Sequence, residues 1–270
     1  MADPTTIQAL QQRATALRKH VLSIATAQSA HLGGAMSCAD LMAALCFHFL
    51  NLEEGKQPRD HFLMSKGHAV HVWHACLAER RLIDASELPK TMQLGSRLAG
   101  HPTKRAPGVE FATGSLGHGL SVAVGTALGE QLRRSPARTV VLLGDGELQE
   151  GNIWEAALCA PRLGLERLLA IVDYNRFQAS NCIDDCVPLD PLADKWRAFR
   201  WNVQVVDGHD MAAILSALAA FPAAKGPTVL IAQTIKGKGV PGVEGTLRAH
   251  FTQVTEDEAR RALASWEVQA

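Results

Sequence analysis

An apolar run, Thr139-Val-Val-Leu-Leu143, leads directly into Gly144-Asp145-Gly146. The run reads as a strand, and the two glycines let the backbone approach a ligand closely. A dinucleotide fingerprint would need a third glycine where Gln149 stands. An acidic side chain within a phosphate loop repels the anion unless a cation lies between them. The arrangement therefore points to Asp145 holding Mg²⁺ or Ca²⁺, which in turn holds a diphosphate. A second oxygen donor is expected after the next strand, and Leu168-Leu-Ala-Ile-Val-Asp-Tyr-Asn175 supplies it in Asn175. The interval between them accommodates one helix and one strand, so neighbouring parallel strands would set Asp145 and Asn175 side by side. A hard cation takes about six oxygens; these two, a backbone carbonyl, two diphosphate oxygens and a water complete that set. Taken alone, Gly-Asp-Gly is as well explained by a turn that ends a strand. The spaced Asn175 tips the reading toward a metal.

Other residues carry weaker signals. His20, His48 and His61 stand without motif support and are read as structural or solvated. His68, His71 and His74 recur every third residue, which suggests zinc. On a helix the first and last would diverge by roughly 120°, so the three do not converge on one ion. Lys236 and Lys238 suit either a phosphate or a solvated loop. Met36, Met42 and Met64 read as packing, and Glu155 as a charge near a helix N-terminus.

Strand-like runs alternate with helical ones, the pattern of a parallel β-sheet with helices on both faces. Strands are expected at Thr139–Leu143, Leu168–Val172, Asn202–Val206 and Thr228–Thr234. Most of these are rich in Val, Ile or Leu, as suits strands covered on both sides. Helices are expected at Gln8–Ala27, Ala39–Phe49, Ala69–Arg81, Leu120–Arg133, Ile153–Leu163, Met211–Phe221 and Glu256–Trp266. Asp210 and Thr255 are the expected N-caps of the last two. The least regular stretches, Leu94–Gly119, Asn175–Pro191 and Lys236–Phe251, are expected at the site, where loops follow the carboxyl ends of strands. No repeat, linker or composition shift divides residues 1–270, which read as one α/β domain.

The 27 basic side chains match the 27 acidic ones, so no global field recruits nucleic acid or an anionic membrane. Any phosphate must be met by local groups. No signal peptide or membrane-spanning run is evident. Of the six cysteines only Cys182 and Cys186 lie close together, and no second pair completes a zinc pattern. Free thiols and a cytoplasmic setting are the expectation.

Several segments, in order, carry a family resemblance: Ala30-His31-Leu-Gly-Gly-Ala-Met-Ser37; Arg59-Asp-His-Phe-Leu-Met-Ser-Lys-Gly-His68; Gly100-His101-Pro102; Pro107-Gly-Val-Glu-Phe-Ala-Thr-Gly-Ser-Leu-Gly-His-Gly119; Gly144-Asp-Gly-Glu-Leu-Gln-Glu-Gly151; Thr234-Ile-Lys-Gly-Lys-Gly239. Gly144-Asp145-Gly146 with Asn175 resembles the metal–diphosphate motif of thiamine diphosphate enzymes. The whole set resembles the first domain of transketolase, in the arrangement of transketolases encoded as two chains. Alpha subunits of 2-oxo acid dehydrogenases share the metal motif but are not expected to carry His31, Gly100-His101-Pro102 and Thr113-Gly-Ser-Leu-Gly117 together. A non-catalytic cofactor-binding subunit is a further alternative, disfavoured by the intact Asp145 and Asn175.

The resemblance implies transfer of a two-carbon ketol unit from a ketose to an aldose, with thiamine diphosphate and Mg²⁺ or Ca²⁺ as cofactors. It implies that Asp145, Asn175 and the carbonyl of Phe177 ligate the metal, and that Gly146, His68 and His250 meet the diphosphate. Gly114, Ser115 and Leu116 lie against the cofactor's middle and pyrimidine region. His31, His101 and His250 face the sugar hydroxyls. Glu150 sits at an intersubunit contact, linked to a glutamate of a separate beta subunit that carries the pyrimidine-binding and C-terminal domains in an alpha2beta2 heterotetramer. Histidine titrates near neutrality and suits the proton transfers of such a reaction. The chain departs from the family at Leu32, His118, Arg176 and Phe251, which bears on substrate choice more than on cofactor binding.

Overall fold

The computed structural model describes residues 3–53, 55, 57–222 and 225–267. Five parallel strands form one sheet: β1 (His61–Met64), β2 (Thr139–Gly144), β3 (Leu168–Tyr174), β4 (Asn202–Asp207) and β5 (Thr228–Gln233). Their spatial order is β1-β2-β3-β5-β4. The helices are α1 (Pro4–Ala27), α2 (Leu32–Ser37), α3 (Ala39–Ala44), α4 (Val70–Glu79), α5 (His118–Leu132), α6 (Gly151–Arg162), α7 (Ile183–Cys186), α8 (Leu192–Ala198), α9 (Met211–Ala219) and α10 (Glu256–Glu267).

Successive strand residues enter two different cores, as the two-residue period of a strand requires. Val140, Leu142, Leu169, Ile171, Leu230 and Ala232 pack with α1–α4, α9 and α10 on one face. Val141, Leu143, Ala170, Val172, Val229 and Ile231 pack with α5, α6 and α8 on the other, around Trp196. The expected layering, a parallel sheet with helices on both faces, is the observed one. The four expected strands are present, and β1 is an additional edge strand in register with β2, His61 opposite Thr139.

Several helix boundaries differ from expectation for local reasons. Helix α1 begins at Pro4 instead of Gln8 because Asp3 caps it and Pro4 occupies its first turn. The stretch expected to be one helix over Ala39–Phe49 loosens after Ala44 into a π-turn, Leu45–Phe49. Asp210 caps α9 as expected, accepting from the N–H groups of Ala212 (2.9 Å) and Ala213 (3.2 Å). Thr255 and Glu258 form a reciprocal capping box, with Glu258 Oε2 accepting from Thr255 N–H at 2.9 Å. Among the described residues no helix is long and apolar enough to cross a membrane.

One buried ion pair braces the approach to the site. Asp40 on α3 receives both terminal nitrogens of Arg18 on α1 and, at 2.8 Å, Nδ1 of His209. The other His209 nitrogen, Nε2, accepts from Ile235 N–H at 2.9 Å, fixing the ring as the Nδ1–H tautomer. Arg18 and His209 hold the Asp40 carboxyl at about 2 against the opposing effect of burial. This chain of contacts ties the residue before Lys236 to the helical layer.

Candidate active site

Strands β2 and β3 are direct neighbours, with Gly144 opposite Asp173. Asp145 and Asn175 therefore leave adjacent strands at the same edge, as their spacing predicts. A cavity of about 390 Å³ opens there. Its walls include Asp145, Gly146, Glu150, Asn175 and Phe177 from the strand ends, and His68, His101, Gly114, Leu116, Lys236 and His250 from elsewhere.

Asp145 is 2 % exposed. Its Oδ1 accepts from Gly146 N–H at 2.8 Å, and its Oδ2 accepts from Arg176 N–H. Burial, reinforced by the nearby charge of Asp173, pushes its carboxyl up to about 7. Asn175 Oδ1 accepts from Phe177 N–H at 3.2 Å, and its Nδ2 donates to Asp173 Oδ2 at 3.0 Å. The Phe177 carbonyl accepts from Lys236 Nζ at 3.0 Å, as does that of Gln178. Lys236 is therefore a buried cation at the cavity, not a solvated loop residue; burial lowers its amine to about 8. Lys238, by contrast, is half-exposed and pairs with Glu244 at 3.3 Å.

Four histidines from distant segments gather here; His68, His101 and His250 line the cavity, and His31 packs against all three without lining it. The His31 ring lies 5.6 Å from His68, 5.8 Å from His101 and 5.3 Å from His250, centroid to centroid. The ring of Phe251 meets His31 edge-on at 4.8 Å. Burial lowers His31 and His250 to about 4, His68 well below its ordinary value, and His101 in the same direction. All four are neutral imidazoles at neutral pH, each able to donate through one nitrogen and accept through the other. Of the remaining predicted residues, Gly114 and Leu116 line the cavity, whereas Ser115 is exposed outside its wall. Glu150 is exposed at the cavity edge, packed against Gly117. Gly117 has φ +85°, and an added Cβ would sit 2.7 Å from Glu150 Cβ, so the turn requires glycine there. His71 and His74 lie buried in α4 with ring centroids 6.3 Å apart. Among the described residues no three His, Cys, Asp or Glu side chains gather as a metal site.

Two buried groups carry no obvious signal in the sequence. Glu147 is 2 % exposed and staples the site, accepting from Gly117 N–H (2.9 Å), Gly144 N–H (3.0 Å) and Ser65 Oγ. Asp173 is fully buried and accepts from Ser37 Oγ (2.6 Å), Asn175 Nδ2, Lys66 Nζ and Thr234 Oγ1. Lys66 also donates to Gly34 O at 3.0 Å. No spacing rule in the sequence links residues 37, 66, 173 and 234.

The donor set tests the expected metal. A carboxylate, an amide oxygen and a backbone carbonyl are hard oxygen donors of the kind Mg²⁺ and Ca²⁺ prefer. Among the described residues no cationic side chain is hydrogen-bonded to Asp145, and burial with the charge of Asp173 outweighs the nearby Lys66 in raising its carboxyl. A divalent cation would supply positive charge there, and Lys66, Lys236 and Gly146 beside it suit a diphosphate. The residues present fit the group.

Sheet and cavity together describe a cofactor-binding α/β domain. Residues 10–269 match the family model for the transketolase, thiamine diphosphate binding domain. The 6-deoxy-6-sulfo-D-fructose transketolase subunit SqwG of a Clostridium species is 38 % identical over 96 % of each chain. An apulose-4-phosphate transketolase subunit from Phocaeicola vulgatus is 36 % identical, over 95 % of this chain and 93 % of that protein. Transketolase from Leishmania mexicana superposes with a TM-score of 0.89 at 28 % identity, covering 99 % of this chain. This chain spans 42 % of the length of that transketolase chain. The chain belongs to the transketolase family, as its thiamine diphosphate-binding part.

Proposed function

We propose that this chain is the alpha subunit of a thiamine diphosphate-dependent transketolase, transferring a two-carbon ketol unit from a ketose donor to an aldose acceptor. The observation that carries the reading is the pairing of Asp145 and Asn175 on adjacent strand ends with three imidazoles, His68, His101 and His250, in one cavity, and His31 packed beside them outside its wall. Asp145, Asn175 and the Phe177 carbonyl would hold Mg²⁺ or Ca²⁺; Gly146, His68 and His250 would meet the diphosphate. Gly114, Ser115 and Leu116 would flank the rest of the cofactor. When bound, thiamine diphosphate supplies the carbon centre that carries the two-carbon unit. The protein's own part is orientation and proton handling. His31, His101 and His250 would hold the sugar hydroxyls, and a neutral imidazole can accept the proton that a hydroxyl loses on C–C cleavage.

A partner beta subunit with the pyrimidine-binding and C-terminal domains would complete the site, in an alpha2beta2 assembly with Glu150 at the contact. The relatives named as transketolase subunits support a separate partner. Val122, Leu132 and Leu158 are exposed apolar residues on α5 and α6, the helices on either side of Glu150 in sequence, and supply surface for it. Two relatives are named for sugars with an anionic terminus, a sulfonate and a phosphate. A ketose of that kind suits this chain if the partner grips the anionic end. Residues 1–270 are read as one domain, and six unpaired cysteines suit a cytoplasmic enzyme.

The test is ketol transfer by the chain with thiamine diphosphate and Mg²⁺, before and after adding the product of the neighbouring coding sequence. Activity is expected only in the mixture; full activity from this chain alone rejects the split-enzyme reading. Within the mixture, His101→Ala is expected to lower turnover on the order of a hundredfold, the lower range for lost acid–base assistance. Cofactor affinity, measured by calorimetry, is expected to stay within about threefold, since a single imidazole on the sugar adds little to diphosphate binding.

A further inference from the structure

We propose that Asp173 is a positioning residue for the cofactor's metal: it locks the Asn175 amide so that the oxygen, not the nitrogen, is presented to the cavity. The proposal rests on the metal reading above and adds the residue that makes Asn175 a defined oxygen donor.

An asparagine amide has two orientations of nearly equal shape and opposite chemistry. In one it offers a lone pair to a cation; in the other it offers N–H bonds and repels it. Asn175 is held at both ends. Its Nδ2 donates to Asp173 Oδ2 at 3.0 Å, and its Oδ1 accepts from Phe177 N–H at 3.2 Å, which leaves Oδ1 a second lone pair. Rotating the amide by 180° would set Oδ1 against a carboxylate, which only accepts, and the amide nitrogen against the Phe177 N–H.

Asp173 is itself immobilised. Ser37 on α2, Lys66 after β1 and Thr234 after β5 all donate to it, and it is fully buried. These three donors hold the carboxylate in place without Asn175. Asn175 is a fourth, and of the four only Asn175 is an expected metal ligand. The carboxylate thus transmits the placement of three separate elements to one amide at the cavity wall.

The experiment uses the chain assembled with its partner subunit, with Mn²⁺ and thiamine diphosphate as the probe pair, titrated by calorimetry. Asp173→Asn keeps the volume but removes the charge; its single amide oxygen is claimed by Lys66 and Ser37, so the bond that holds Asn175 Nδ2 weakens and the Asn175 amide is freer to turn. Affinity for the pair is expected to fall at least tenfold. The exchanged double variant, Asp173→Asn with Asn175→Asp, keeps the net charge and restores an amide-to-carboxylate bond; most of the lost affinity is expected to return. Asn175→Asp alone is the control, because it adds a carboxylate at the proposed ligand position; recovery beyond its own effect belongs to the lock. Unchanged affinity in Asp173→Asn, or a folded double variant without recovery, overturns the proposal. Should Asp173→Asn fail to fold, side-chain amide exchange in the ¹⁵N-asparagine-labelled wild-type chain decides instead. Slow exchange at Asn175 Nδ2 is expected, and exchange at the solvent rate overturns the lock. A wild-type assembly that takes up no Mn²⁺ and thiamine diphosphate sinks the cofactor reading and this proposal together. Normal wild-type uptake with an unaffected Asp173→Asn sinks the proposal alone.

Discussion

Asp145 and Asp173 stand at the ends of neighbouring strands, both almost wholly removed from water, and they are opposites. Asp173 is saturated by side chains of the protein. Burial pushes its carboxyl up, but Lys66 and the hydroxyls of Ser37 and Thr234 outweigh that, and the net displacement is downward. Among the described residues Asp145 receives only two backbone N–H groups, and its carboxyl rises to about 7. A buried charge is tolerated when it is paired and costly when it is not. The first aspartate is complete within the fold; the second carries a deficit that a cation from outside would fill. Burial alone does not separate structure from function here, but the identity of the partners does.

The largest effect is expected where the deficit lies. Asp145→Ala is expected to abolish metal-dependent cofactor binding, by a hundredfold or more, about 3 kcal/mol. Calorimetry with thiamine diphosphate, with and without Mg²⁺, measures it; retained affinity would show that Asp145 is not the metal's ligand.

Breaking the saturated side is expected to cost stability instead. Lys66→Met leaves Asp173 buried without its cation, a loss of about 3–5 kcal/mol. Urea denaturation measures it, and a loss under about 1 kcal/mol, the scale of an exposed pair, would contradict the contrast.

The two aspartates also differ in their pH dependence. The folded-state pKa of Asp145 lies above its ordinary 3.8, so the folded protein keeps a proton that the unfolded chain releases. Its contribution favours folding fully below about pH 4 and is lost as pH rises through about 7. At pH 8 Asp145→Asn is therefore expected to stabilise the metal-free protein, by an amount on the order of a few kcal/mol. Asp173, displaced downward, contributes the opposite slope, fully present above the unfolded pKa and lost in acid. Thermal midpoints of wild type and Asp145→Asn between pH 4 and 8 test this; parallel curves would rule it out.

The smallest effect belongs to one donor among four. Ser37→Ala removes a single hydrogen bond onto Asp173 and is expected to cost about 1 kcal/mol. Chemical denaturation of that variant reads it, and a loss as large as that of Lys66→Met would mean the network fails as a unit.

The sequence carried the central strands because β2, β3 and β5 are covered on both faces and read as continuous apolar runs. β1 escaped because only four residues follow the polar Arg59-Asp60, and as an edge strand it keeps His61 partly exposed. α2 contains Gly33 and Gly34, and α8 is seven residues with three charges, so neither shows helical periodicity. Asp145 and Asn175 were legible because each directly follows a strand. The four histidines came together through resemblance alone; their spacing in the chain says nothing of their meeting. Asp173 was invisible as a hub because its partners come from residues 37, 66 and 234, and only the folded chain brings them to one point.

The strand order has a consequence for how the chain is made. β5 is the last strand in sequence, yet it lies between β3 and β4. Until Thr228–Gln233 leaves the ribosome, β3 presents an open edge and β4 has no strand to join. Such an unpaired edge is where nascent chains associate wrongly. Thr234, the donor that completes the surroundings of Asp173, follows β5 directly. The polar heart of the site therefore closes with β5, the strand of this sheet that is synthesised last, and a chain stopped before Thr228 has neither a finished sheet nor a finished pocket.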